Sequence, residues 1–152
     1  MRLANRQGMA ALLGAGLIGL AALPAGADGP EANRRDIAAD AGLPAPYADL
    51  ANPLSVPPVI LAEGARLYAD NCRPCHGPGG RGDGEGSTNP PPPSLRRPAF
   101  EGLAAADAYL MWAISEGGAA IGTQMPAYKL ALDDDERWRL VAFIAADFAT
   151  GR

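Results

Sequence analysis

Apolar positions recur at helical spacing in three stretches of this chain, and no stretch alternates as a strand would. The first runs from about Val59 to Asn71, where Ile60, Leu67 and Tyr68 form an apolar side with Ala and Gly between them. Gly64 sits inside it at a cost of about 1 kcal/mol relative to Ala, so a second helix backbone is expected to cross closely there. The second spans Ala104 to Glu116, with Leu110, Met111 and Ile114 on one side and Gly117-Gly118 as its stop. The third is the best delimited. Asp133 caps it, Glu136 completes a capping box, and Asp134 and Asp135 suit the positive start of a helix. Trp138, Val141, Phe143 and Ile144 make its buried side, and it ends near Ala149 before Gly151. The expected fold is therefore all-α, three main helices joined by long irregular loops.

The connecting segments differ in character. From Asp28 to Pro58 the chain is rich in Ala and Pro and reads as an arm or linker, with one short helical turn at Ile37 to Ala41. Tyr47, Leu50 and Leu54 are the residues able to pin it to the domain. A glycine-rich run, Gly77 to Gly86, lacks the G-x-x-x-x-G-K-[ST] pattern of a phosphate loop. Four prolines, Pro90 to Pro93, follow and read as a rigid wall rather than a polyproline ligand. Ala119 to Tyr128 has no period and reads as an irregular loop.

The chain's start is set apart from the domain. Arg2 and Arg6 precede an apolar run from Met9 to Leu23, and Pro24-Ala25-Gly26-Ala27 closes it. That is the pattern of a secretory signal peptide over residues 1–27, followed by the arm over 28–58 and the domain over 59–152. The run is short for a membrane span, which needs about 20 apolar residues; uncleaved, it would tether the protein facing the periplasm. Cleavage removes Arg2 and Arg6 and no acid, moving the net charge from −4 to about −6. Lys129 is the sole lysine, so neither nucleic acid nor an anionic membrane surface is an expected partner.

Chemistry concentrates in Asp70-Asn71-Cys72-Arg73-Pro74-Cys75-His76-Gly77, which holds both cysteines and the one histidine. Two thiols at i and i+3 project to one side of a helical turn, so both can add to the vinyl groups of one porphyrin. His76, directly after, is placed to give the iron a nitrogen ligand. A redox dithiol needs a helix running on from its first cysteine, and the glycines after His76 forbid that. Structural zinc takes four Cys or His ligands, and the chain owns three. One haem c, held through Cys72 and Cys75, is the reading that remains. For a sixth ligand the mature chain offers Met111 and Met125. Met111 lies among apolar residues of a helix, where methionine packs. Met125, in a loop before Pro126, is the candidate; an open sixth site is the alternative.

With these residues in place the chain resembles the class I, monohaem cytochrome c family of bacterial periplasmic electron carriers. The resemblance rests on the C-x-x-C-H motif at Cys72, Cys75 and His76, on Met125-Pro126, and on a helix before and after; it covers about Val59 to Ala149. It implies a cytochrome c fold in which the first and last helices cross near a right angle. Gly64 and Tyr68 then face Leu140 and Phe143. It also implies a proline carbonyl holding the proximal imidazole, with Pro93 as the counterpart and Pro92 next. The implied function is one-electron transfer in the periplasm by a monomer that is not itself an enzyme. Redox proteins are expected to dock transiently at a haem edge rimmed by Arg73, Pro74 and Ala127. Two alternatives stay open: a cytochrome subunit of a dehydrogenase or oxidase complex, and a haem enzyme or gas sensor with an open sixth site.

Overall fold

Pro57 and Pro58 open the helix that makes half of the main packing in the fold. Pro57 is extended and Pro58 takes the first helical turn, where a missing N–H costs no hydrogen bond. The computed structural model describes residues 30–96 and 106–148. The expected export signal and the last residues of the chain lie outside them. The described elements are helical throughout: α1 (Pro30–Asp40), α2 (Pro58–Asn71), α3 (Arg73–His76), α4 (Ala106–Glu116), a 3-10 turn (Ala119–Ile121) and α5 (Asp134–Phe143), which runs on as a π-helix over Ile144–Phe148.

The main packing is α2 on α5. Gly64 makes it possible: a Cβ there would run into the Arg139 carbonyl oxygen and lie 2.7 Å from the Phe143 Cβ. One turn on, the Tyr68 ring meets Phe143 at 5.4 Å and Phe148 at 5.1 Å between centroids. Leu140 and Val141 on α5 are fully buried in the same cluster. The expected capping box is formed, with Glu136 N donating to Asp133 Oδ1 at 2.8 Å and Asp133 N to Glu136 Oε2 at 3.0 Å. The last helix departs from expectation at Ile144, where the α-helix widens into the π-helix that turns Phe148 inward.

Two further differences share one cause. α4 was expected to bury one side, yet Tyr109 and Ala113 are buried along with Leu110, Met111 and Ile114. And α1 is an 11-residue helix in place of one short turn at Ile37 to Ala41. The sequence of α1 has no apolar stripe, but its Ala, Glu and Arg residues are strong helix formers and Pro30 suits a first turn. The arm wraps the domain and covers the far side of α4. Arg34 stacks on Trp112 at 5.5 Å, Tyr47 Oη donates to Glu116 Oε1 at 2.6 Å, and Asn52 Nδ2 donates to the Trp138 carbonyl at 3.2 Å. Tyr47 is buried, with Leu50 and Leu54 packed against the core.

Candidate haem site

α3 is a single turn, and it sets the spacing of the site. Cys72 precedes it, Pro74 lies in its first turn, and the Cys72 carbonyl accepts from Cys75 N at 3.2 Å and His76 N at 2.9 Å. The turn stops at Gly77, whose φ of +78° suits glycine and is costly for other residues. Tyr68 Oη donates to the Gly77 carbonyl at 2.6 Å, tying this stop to the α2–α5 crossing.

The glycine-rich loop then folds back over α3. Gly82, Gly84 and Gly86 donate in turn to the carbonyls of His76, Cys75 and Pro74, at 2.9, 3.1 and 2.8 Å. Carbonyls at a helix C-terminus have no partners within the helix, and the loop supplies them. A side chain at Gly84 would collide with the Pro74 carbonyl, so the approach depends on glycine there. Leu95 N donates to the Gly80 carbonyl at 2.7 Å, which brings the end of the proline run back beside His76. Pro92 packs its carbonyl against Gly82, while the Pro93 carbonyl faces the imidazole. The sequence clue to this strap was the alternation of glycine at 82, 84 and 86.

The loop carrying Met125 is pinned to the end of α4. Gly118 N donates to the Met125 carbonyl at 2.8 Å and Tyr128 N to the Ile114 carbonyl at 3.0 Å. A Cβ at Gly117 would stand 2.6 Å from Ala127 N, so the loop lies directly on the helix stop. The loop is less irregular than expected, since it begins with the 3-10 turn Ala119–Ile121.

Between these walls lies a cleft with about 510 Å³ of empty space, part of it open to solvent. Cys72, His76, Pro93 and Met125 all line it, with Leu110, Ile114 and Ile144 among its apolar walls. Cys75 is not a lining residue; its Sγ donates to the Gly86 carbonyl at 3.3 Å. Cys72 and Cys75 form no disulfide with one another. Met111 is 3 % exposed in the core and serves as packing. Arg73, Pro74 and Ala127, the expected rim residues, are exposed.

The electrostatics follow from burial. The Cys72 thiol is pushed up to about 12 by desolvation, with Cys75 adding to the shift. Tyr128, whose hydroxyl donates to the Asn71 carbonyl at 2.8 Å, is likewise pushed up to about 12 by burial and by the two cysteines. Desolvation lowers the His76 pKa, and the Pro93 carbonyl partly offsets this. A neutral imidazole is the form that ligates metal.

These residues fit a haem. His76 is 9 % exposed, and its Nδ1 is buried with no hydrogen bond formed. One imidazole and one thioether in a mostly apolar cleft, beside thiols on one turn, form a donor set suited to haem iron. Among the described residues no three His, Cys, Asp or Glu side chains converge as a metal cluster would require. Arg34 and Arg35, from the arm, line the cleft and were not anticipated.

Comparison with known proteins gives the same family. The model of the family described as cytochrome c oxidase, cbb3-type, subunit III matches residues 60–144, more than half of the chain. A chain of the Kuenenia stuttgartiensis reducing HAO-like protein complex Kustc0457/Kustc0458 is similar in structure at 26% identity and a TM-score of 0.49, over 62% of this chain and 47% of that one. This protein thus spans about half the length of that solved chain. No curated protein matches it.

Proposed function

The chain belongs to the cytochrome c family described as cytochrome c oxidase, cbb3-type, subunit III, and we propose that it is an exported monohaem electron carrier in which His76 and Met125 would ligate the iron. The observation that carries this reading is that His76 and Met125 line one cleft together with Cys72. Bound there through Cys72 and Cys75, the haem supplies a one-electron ferric/ferrous couple. His76, held by the turn α3 with Pro93 beside it in the cleft, would give the iron a nitrogen ligand. Met125, on the loop pinned to the end of α4, would supply the thioether ligand. A neutral, soft sulfur ligand favours ferrous iron, and the apolar walls act in the same direction.

Residues 1–27 serve as the export signal in this reading, 28–58 as an arm, and 59–152 as the cytochrome domain, so the working compartment is the periplasm. Among the described residues no helix is long and apolar enough to cross a membrane. Partners are redox proteins that dock at the exposed edge by Arg73, Pro74 and Ala127, in small and short-lived contacts suited to a carrier. The protein is not itself an enzyme and works as a monomer. A second reading, a subunit of an oxidase or dehydrogenase complex, is supported by the description of the family it belongs to. Co-purification from periplasm at moderate salt separates the two: a stable partner supports the subunit, a lone monomer the shuttle.

Met125→Leu tests the ligand assignment. The wild type is expected to show the ferric sulfur-to-iron charge-transfer band and little binding of carbon monoxide. The variant should lose the band, bind carbon monoxide and have a lower potential. A wild type without the band, or a variant that keeps it, would sink the assignment and favour an open-site enzyme or sensor.

A further inference from the structure

We propose that the N-terminal helix α1, which precedes the family's matched region, supplies the binding site for a haem carboxylate, with Arg35 as the residue that takes it. The matched region begins at residue 60, and Arg34 and Arg35 lie well before it. Yet both line the cleft that also holds His76 and Met125. Adjacent residues on a helix point about 100° apart, so for both to reach one cleft α1 must present its flank to the opening.

The two arginines have different tasks. Arg34 is 2 % exposed, donates from Nη2 to the Gly117 carbonyl and stacks on Trp112. It anchors α1 to the end of α4. Arg35 is half-buried, and its Nε is buried without a hydrogen bond. A guanidinium nitrogen left in that state costs free energy unless a ligand completes it. The described residues lining the cleft include no Asp or Glu that would do so. A haem carries two carboxylates, and the planar fork of an arginine matches a carboxylate in a charge-assisted pair. The unsatisfied donor and the absent acceptor therefore belong to one site.

This inference rests on the proposed function, because it needs the haem in this cleft. The positive charge of Arg35 disfavours ferric iron, which carries one charge more than ferrous. The test uses the holoprotein and its Arg35→Gln and Arg35→Lys variants, read by midpoint potential and by the propionate bending mode in resonance Raman spectra. Arg35→Gln is expected to shift the ferric/ferrous ratio toward ferric by about tenfold, or about 59 mV for one electron, and to move the propionate mode. Arg35→Lys keeps the charge and should retain most of the wild-type potential while still moving the mode. A haem-loaded Arg35→Gln protein with both readouts unchanged overturns the proposal and leaves the function standing. A Lys variant shifted in potential as far as the Gln variant also overturns it, because the effect is then structural. A wild type that carries no covalent haem overturns both.

Discussion

Gly64→Ala sets two effects of opposite sign against each other. In an isolated helix the change is favourable by about 1 kcal/mol, because Ala loses less backbone entropy. At the α2–α5 crossing the new Cβ runs into the Arg139 carbonyl oxygen and lies 2.7 Å from the Phe143 Cβ. Carbon atoms in ordinary contact stand about 3.5–4.0 Å apart, so α5 must retreat by roughly 1 Å. Neither obstacle can swing aside, since one is backbone and the other is a Cβ. Overpacking of this kind costs about 1–3 kcal/mol, here toward the upper end. The net expectation is a loss of about 1–2 kcal/mol. For a domain of this size each kcal/mol lowers Tm by about 4–8 °C. Thermal unfolding of the holoprotein, followed by far-ultraviolet circular dichroism, reads this directly. A variant as stable as the wild type, or more so, would refute the close crossing, because helix propensity alone predicts that sign.

Two other substitutions probe the surroundings of the site. Tyr68→Phe keeps the ring contacts with Phe143 and Phe148 but removes the 2.6 Å bond to the Gly77 carbonyl, which keeps its second donor in Gly80 N at 3.3 Å; it should cost about 0.5–1.5 kcal/mol in urea unfolding, and an unchanged midpoint would count against that bond. Glu116 is held below its ordinary carboxylate range by the hydrogen bond from Lys129 and then by that from Tyr47. Its stabilising contribution is therefore fully present above the usual glutamate value of about 4.3 and is lost as pH falls through the depressed one. Glu116→Gln should flatten the acid limb of the stability profile, whereas parallel limbs for the two proteins would contradict the pairing.

What was legible in the sequence is what depends on neighbours in sequence. The capping box of α5 and the turn that groups Cys72, Cys75 and His76 are contained within a few residues, so spacing alone revealed them. Gly64 was legible because a glycine in a good helix needs a reason, and the Arg139 backbone supplies it. The strap formed by Gly82, Gly84 and Gly86 was read only as a loop. Its meaning depends on which carbonyls it meets, and the fold decides that. Pro93 came through resemblance, since four consecutive prolines have no internal feature that distinguishes one carbonyl from the next.

The arm was hardest to read because it is held by single contacts at long range instead of by an apolar stripe. Arg34 reaches Gly117, 83 positions away, and Asn52 reaches Trp138, 86 away. Neither contact leaves any periodic trace. Composition marks a boundary near Pro58, whereas the packing runs straight across it. From Arg34 the hydrogen bonds pass to Gly117, and from the neighbouring Gly118 to the Met125 carbonyl. The segment that looks most like a linker is thus fastened to Gly117, next to the Gly118 that holds the methionine loop against α4. A change in the arm therefore bears on the site through backbone as well as through the charge of Arg35.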